Sequence, residues 1–392
     1  MQHRRGYANL NAMTSDLPVL SPPERLLCGP GPTNVEPTVL AAMQRPMLGH
    51  LDPDLHDALL DVVAMLRQTW RMPDGLVLPL HCTGTAGMET GLASLLEPGD
   101  TAVVARSGFF GARVAEIARR HGADVVEVEA DWGEAVPNER LIEALDRNPE
   151  ARVLVVVHAE TSSGVQHPLA ELAEAMRGRD TLLIADCVTS LGGVELQAGA
   201  WGIDFAYSCT QKCLAAPPGM SPLAVSERAL ERIRSRSTQV PFSFDLLLLE
   251  DYWVKRPAAY HHTAPILSIY ALHEALRSTL EEGLEQRWER HARAGVHLQQ
   301  ELRSRGLELL ADPERQLAPL TAVRVPAGVD AKRVQGRMLR EHGIEIGGGL
   351  GPAAPDMWRI GLMGTNATVE TADRVVAALD AVLAEEREPT LA

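Results

Sequence analysis

"SCTQKCLAAPPG", residues 208–219, sets one lysine, Lys212, between a polar run and an Ala/Pro/Gly loop, directly after the strand-like "IDFAY" of 203–207. Most lysines are solvated surface residues, yet this one is flanked by Cys209, Thr210, Gln211, Cys213, Leu214 and Ala215. That is not typical surface company. A desolvated lysine has a lowered pKa and can form a Schiff base with a carbonyl compound. What the fold brings around it decides whether this amine is chemical or only buried.

From residue 85 the chain alternates between two periodicities. "AGMETGLASLLEPGD" has helical apolar spacing and stops at Pro-Gly, "TAVVARS" is a buried-strand run, "GARVAEIARRHGA" is an amphipathic helix, and "DVVEVEA" alternates like a strand. The rhythm continues through "RVLVVVHAE", a helix around "LAELAEAMRGR", and "TLLIADCV". Strands apolar on both faces and separated by helices predict an α/β fold with a mostly parallel sheet covered on both sides. After residue 264 one long charged helix is expected over 271–306, leading into a smaller α/β layer made of "TAVRVP", "AKRVQGRMLREHG", "IEIGGG", "WRIGLMG" and "VETADRVVAALDAVLAEE". The expected division is an N-terminal arm over 1–21, a large domain over 22–282 and a small C-terminal domain over 283–392.

The 392 residues carry a formal net charge of -15, with 45% hydrophobic and 23% charged residues. That balance suits an ordinary globular protein and argues against nucleic acid or acidic membrane as partners, since both need a positive field. Apolar runs such as "VLVVV" at 153–157 are too short to cross a bilayer, and "MQHRRGYANLNAMTSDLP" has no signal-peptide core. The C-terminal "TLA" does not match the peroxisomal tripeptide. Five scattered cysteines without CxxC spacing fit a reduced compartment, so a cytoplasmic location is expected. Adjacent histidines in "YHHT" (260–263) point apart and lack a matching ligand cluster, so no metal site is expected.

In open α/β sheets ligands gather at the carboxyl ends of strands. There the sequence supplies Thr83, Gly84 and Thr85 before a helix, Phe109 and Phe110 in "SGFFG", Glu160, Thr161 and Ser162 in "HAETSSG", Asp186 in "ADCVTS", and Lys212. Small hydroxylated and glycine residues leading into a helix suit a phosphate, although they also make plain turns and caps. A carboxylate ending a buried strand must pair with something, either a structural cation or the protonated ring nitrogen of pyridoxal 5′-phosphate (PLP). Phe110 could stack on such a ring or be core. Phosphate loop, aromatic plate, carboxylate and lysine together occur in the order a PLP enzyme needs.

On these residues, and on "GPGPTN" (29–34), "GTAGMETGLASLLEPGD", "HAETSSGV", "ADCVTSLGG", "YHHTAP", "IEIGGGLGP" and "WRIGLMGTNAT", the chain resembles the class V aminotransferases of PLP fold type I. Within them it is most similar to the alanine:glyoxylate / serine:pyruvate aminotransferase family, over nearly all of the chain from residue 22. The resemblance implies that Lys212 holds the cofactor covalently and shuttles the proton, and that Asp186 keeps the ring nitrogen protonated. Thr83, Gly84, Thr85 and Gln211 would hold the phosphate, with Tyr260 and Thr263 reaching in from a second subunit of a homodimer. Thr161 would approach the phenolic oxygen, Val188 would pack on one ring face and Phe110 on the other, where many relatives carry Trp. Arg359 would bind the substrate carboxylate beside Gly31, and His50 would approach the substrate across the dimer.

The reaction so implied is ping-pong transamination between an amino acid and a 2-oxo acid. No further cation is evident for a dicarboxylate, so small donors, alanine or serine, are expected, with glyoxylate or pyruvate as acceptor. A close rival is (S)-ureidoglycine:glyoxylate transamination, whose enzymes carry Gln where this chain has His50 and Asn where it has Tyr260. A cysteine desulfurase would need a nucleophilic thiol on a C-terminal loop, and every cysteine here lies at or before residue 213. A non-catalytic PLP-binding protein would normally have lost Lys212 or Arg359 or gained a DNA-binding segment.

Overall fold

The computed structural model describes residues 19–387, so the expected arm over 1–21 lies outside the described residues save for its last three. Seven strands build the central sheet: β1 (Leu76–Leu80), β2 (Thr101–Arg106), β3 (Asp124–Glu129), β4 (Val153–Val157), β5 (Leu182–Asp186), β6 (Phe205–Tyr207) and β7 (Ser221–Val225). Their spatial order is β1-β7-β6-β5-β4-β2-β3. Strand β7 runs antiparallel to β1 and β6, and the other neighbours are parallel. The wholly buried runs of β4 and β5 take central places, as strands covered on both faces must. At the edge, β3 leaves its two ends, Asp124 and Glu129, exposed.

Crossover helices, among them Gly84–Leu95, Phe109–Arg120 and Asn138–Arg147, return the chain so that β1 to β6 all point the same way. One large core clusters around this sheet, with Trp70, Phe205, Tyr207 and Trp253 fully buried. A second core gathers Leu298, Leu302, Val323, Met338, Trp358 and Leu379. It underlies a three-stranded antiparallel sheet of β8 (Leu320–Arg324), β9 (Gly347–Gly348) and β10 (Met357–Gly361), in the order β8-β10-β9.

Two features depart from the sequence expectations. The long helix is in fact two, Ile266–Glu282 and Leu284–Ser304, broken at Gly283. There φ is +85°, a left-handed conformation glycine adopts without the clash a Cβ would bring. The apolar spacing continues through the break, which is why the segment reads as one helix. The start of the chain also reaches into the second core: Leu26–Leu27 pairs in parallel with Ile344–Glu345, and Cys28 is buried there. Among the described residues no helix is long and apolar enough to cross a membrane.

Candidate active site

The carboxyl ends of the parallel strands enclose a cavity of about 170 Å³ lined by Thr83, Gly84, Thr85, Phe110, Thr161, Asp186, Val188, Gln211 and Lys212. These nine come from five different strand ends and were all expected at the site. Met88, Val157, Ala159, Thr189 and Cys209 complete the wall and were not foreseen.

Asp186 is the last residue of β5, only 3% exposed. Its Oδ1 accepts from the Val188 amide at 2.9 Å and its Oδ2 from the Tyr207 hydroxyl at 2.8 Å. Burial pushes its carboxyl up from 3.8 to about 7, against the pull of those two donors. Tyr207 lies directly across the β5–β6 pairing from Asp186, a partner that only strand register reveals. A buried Tyr hydroxyl needs an acceptor, and that is the signal in "IDFAY" that points to it.

Lys212 sits five residues past β6 in a turn closed by the Ala215 amide on the Lys212 carbonyl at 2.9 Å. Ala215 takes φ +52°, the left-handed region that L residues seldom enter. Burial pushes the Lys212 amine below its usual pKa, and Nζ donates to the Pro30 carbonyl. The amine needs the glycine beside it: a Cβ on Gly31 would lie 2.4 Å from Nζ.

The helix Gly84–Leu95 begins at Thr83, whose hydroxyl accepts from the Ala86 amide at 3.1 Å. The first turn of a helix leaves amides unpaired and carries the positive end of its dipole, so Gly84 and Thr85 present donors to an anion. Gly84 packs tightly, since a Cβ there would meet Cys209 Cβ at 3.2 Å. Buried Gln211 Oε1 has no partner among the described residues.

Arg359 enters from β10. Alternation along that strand sends Trp358 and Ile360 into the second core and turns Arg359 and Gly361 the other way. Arg359 Nε donates to the Gly348 carbonyl at 2.6 Å and Nη1 to the Thr161 carbonyl at 3.2 Å. It faces no carboxylate at ion-pair distance among the described residues, and burial lowers its pKa to about 10, still charged at neutral pH. Gly361 leaves room for the "GPGPTN" segment: a Cβ there would lie 2.1 Å from the Gly29 carbonyl oxygen.

Five expected residues do not line this cavity: Gly31 and Arg359, which instead lie against Lys212 and the Thr161 carbonyl, and Tyr260, Thr263 and His50. Tyr260 is 61% exposed and Thr263 is exposed, while His50 is half-buried with its ring 5.4 Å from that of Tyr260. An unforeseen cation, Arg113, lies over the rings of Phe109 and Phe110 at 4.7 and 5.4 Å and donates to Thr85 Oγ1 at 3.3 Å, outside the cavity wall.

This donor set, a helix N-terminus, a buried carboxylate, an aromatic plate and a buried amine, fits a phosphorylated ring aldehyde whose nitrogen carries a proton. A profile described as Aminotransferase class-V matches residues 65–371. The chain belongs to the class V aminotransferases. It is 40% identical over 364 residues to the alanine–glyoxylate aminotransferase of Rattus norvegicus, covering 92% of this chain and 88% of the other. It is 37% identical over 383 residues to the (S)-ureidoglycine–glyoxylate transaminase of Bacillus subtilis, covering 93% and 92%. Among solved structures, an alanine–glyoxylate aminotransferase from Nostoc sp. is similar with a TM-score of 0.91 and 44% identity, covering 94% of this chain and 97% of that one. As a class V aminotransferase the protein is an α/β enzyme of PLP fold type I.

Proposed function

We propose that this aminotransferase uses PLP to move the amino group of a small amino acid, alanine or serine, to glyoxylate or pyruvate in ping-pong order. The observation that carries the reading is the single cavity in which Lys212, Asp186, Phe110 and the Thr83–Thr85 helix start share one wall. Bound PLP supplies an electron sink for the charge left when the Cα proton departs. Thr83, Gly84, Thr85 and Gln211 would hold the phosphate, Asp186 would keep the ring nitrogen protonated, and Phe110 and Val188 would fix the ring plane. Thr161, on the same wall, would approach the phenolic oxygen. Lys212, the one amine on the wall among the described residues, would anchor the cofactor and move the proton at the substrate Cα. Arg359 grips the substrate carboxylate beside Gly31.

The small-donor reading rests on the cations near the cavity: among the described residues Lys212 alone lines its wall, Arg359 is assigned to the substrate's own carboxylate, and Arg113 is engaged with the Phe109 and Phe110 rings. Identity does not separate alanine–glyoxylate relatives from ureidoglycine–glyoxylate ones; Tyr260 and His50, at positions where the latter carry Asn and Gln, favour the former. The absorbance spectrum of purified protein, with alanine, serine, ureidoglycine or glutamate added singly, tests the reading. Bleaching of the visible band fastest by alanine or serine supports it. Fastest bleaching by ureidoglycine or glutamate replaces the substrate, and no visible band after PLP addition removes the cofactor.

A homodimer with shared sites follows from the same reading. Leu40, Met47, Leu51, Phe242, Tyr260 and Leu267 are exposed, Tyr260 stands beside His50, and a second copy would cover such apolar side chains. Met47→Glu combined with Leu267→Glu is expected to sediment as a monomer and to bind PLP about tenfold more weakly; an unchanged sedimentation coefficient would remove the shared site. We further assign the large domain to 22–282 and the small one to 283–392, meeting at the Gly283 break, with Leu26–Cys28 crossing over to pack in the small domain, and place the enzyme in the cytoplasm on its five free thiols.

Asp186 gives a pH prediction. Because its folded-state pKa is raised from 3.8 to about 7, the group stabilises the cofactor-free protein below pH 4, and that contribution is lost as pH rises to 7. The melting temperature of wild type relative to Asp186→Asn is therefore expected to fall between pH 4 and 7 and then level, and PLP should restore it above 7. A pH-independent difference would contradict the assignment.

A further inference from the structure

Glu160 is wholly buried, 0% exposed, and no cation pairs with it among the described residues. A carboxylate in that position must be satisfied by hydrogen bonds. Its Oε2 accepts from the amides of Phe110 at 3.1 Å and Gly111 at 3.3 Å. Its Oε1 accepts from the Ser162 amide at 3.0 Å and the Ser162 hydroxyl at 2.6 Å. The Phe109 amide in turn donates to Ser162 Oγ at 2.8 Å.

The helix Phe109–Arg120 starts at Gly108, which has no side chain to cap it. Glu160 therefore does that work from another strand end, and an anion is the favoured cap at a helix N-terminus. The missing side chain is itself required, since a Cβ on Gly108 would lie 2.7 Å from the Glu160 carboxyl carbon. Arg113 backs the Phe109 and Phe110 rings at 4.7 and 5.4 Å. Next to Glu160, Thr161 lines the cavity and lends its carbonyl to Arg359. One carboxylate thus joins the segment that carries the aromatic plate to the segment that meets the arginine.

We propose that Glu160 is a positioning residue of the active site: its carboxylate clamps the first turn of the helix 109–120, holds the Phe110 ring against the cofactor, and tightens PLP binding through that ring. The proposal rests on the PLP reading of the cavity. It differs from a purely stabilising role because the effect on the cofactor must pass through Phe110.

The test is a double-mutant cycle on the dissociation constant of PLP, with the visible circular dichroism of the bound cofactor as a second readout. Glu160→Gln keeps the shape but turns an amide group toward donors that need an acceptor. It is expected to raise the dissociation constant about tenfold and to weaken the dichroic band. In a Phe110→Ala background the same change should shift it less than about twofold, because contacting residues are not additive. An equal shift in both backgrounds, or a lower melting temperature with unaltered PLP affinity, overturns the proposal. Should Glu160→Gln not fold, Ser162→Ala, which cuts the link from Phe109 to Glu160, carries the same cycle with the same two outcomes. Failure of the wild-type protein to bind PLP would sink the reading of the cavity instead.

Discussion

Lys212→Ala is expected to lower turnover by about a thousandfold or more, since the proposed function makes this amine both the covalent anchor and the proton carrier. The purified variant should also lack the wild-type visible band while still taking up PLP, because the helix start at Gly84, the Asp186 carboxylate and the Phe110 plate remain. Its loss leaves the Pro30 carbonyl without the amine it accepts from, a local cost that far-UV dichroism would detect if it spread. Near-normal transamination by this variant would refute the assignment of the lysine outright.

Arg359→Ala is expected to raise the Michaelis constant for amino acids about a hundredfold, the usual consequence of removing one member of a buried charged pair. Two of the guanidinium donors are committed to the Gly348 and Thr161 carbonyls. They hold the fork still and leave its remaining edge for a carboxylate, which a flexible ammonium cannot copy. Arg359→Lys should therefore recover only part of the loss. The cofactor spectrum should be unchanged in both variants, and an unchanged Michaelis constant would move the carboxylate site elsewhere.

The parts of this site that were legible in the sequence share one property. Thr83, Asp186 and Lys212 each follow a buried strand, and a parallel sheet delivers all such ends to the same side. Their chemistry can be read from neighbours in the chain. Tyr207 could not be assigned, because its role depends on lying opposite Asp186 in the β5–β6 register. The capping of Phe109–Arg120 by Glu160 spans about fifty positions and leaves no trace in local pattern. The break at Gly283 was missed because hydrophobic spacing records which face is buried and says little of the axis.

The pairing of Leu26–Leu27 with Ile344–Glu345 also bears on how the chain is made. The hydroxyl of Thr33 donates to the Met363 carbonyl and Asn366 donates to Asn34, so the strap over 26–34, although its Thr33 amide also reaches the Gln211 carbonyl, is fastened at both ends by residues synthesised late. All seven strands of the central sheet exist once Val225 has been made. At ribosomal rates the strap then waits on the order of ten seconds for its partners. The strands of the sheet are thus complete first, and the strap that lays Pro30 and Gly31 over the Lys212 amine is pinned at Leu26–Leu27 and Thr33 only once Ile344–Met363 has been made. Vectorial synthesis therefore makes the strap over the buried amine one of the last pieces of architecture to be fastened.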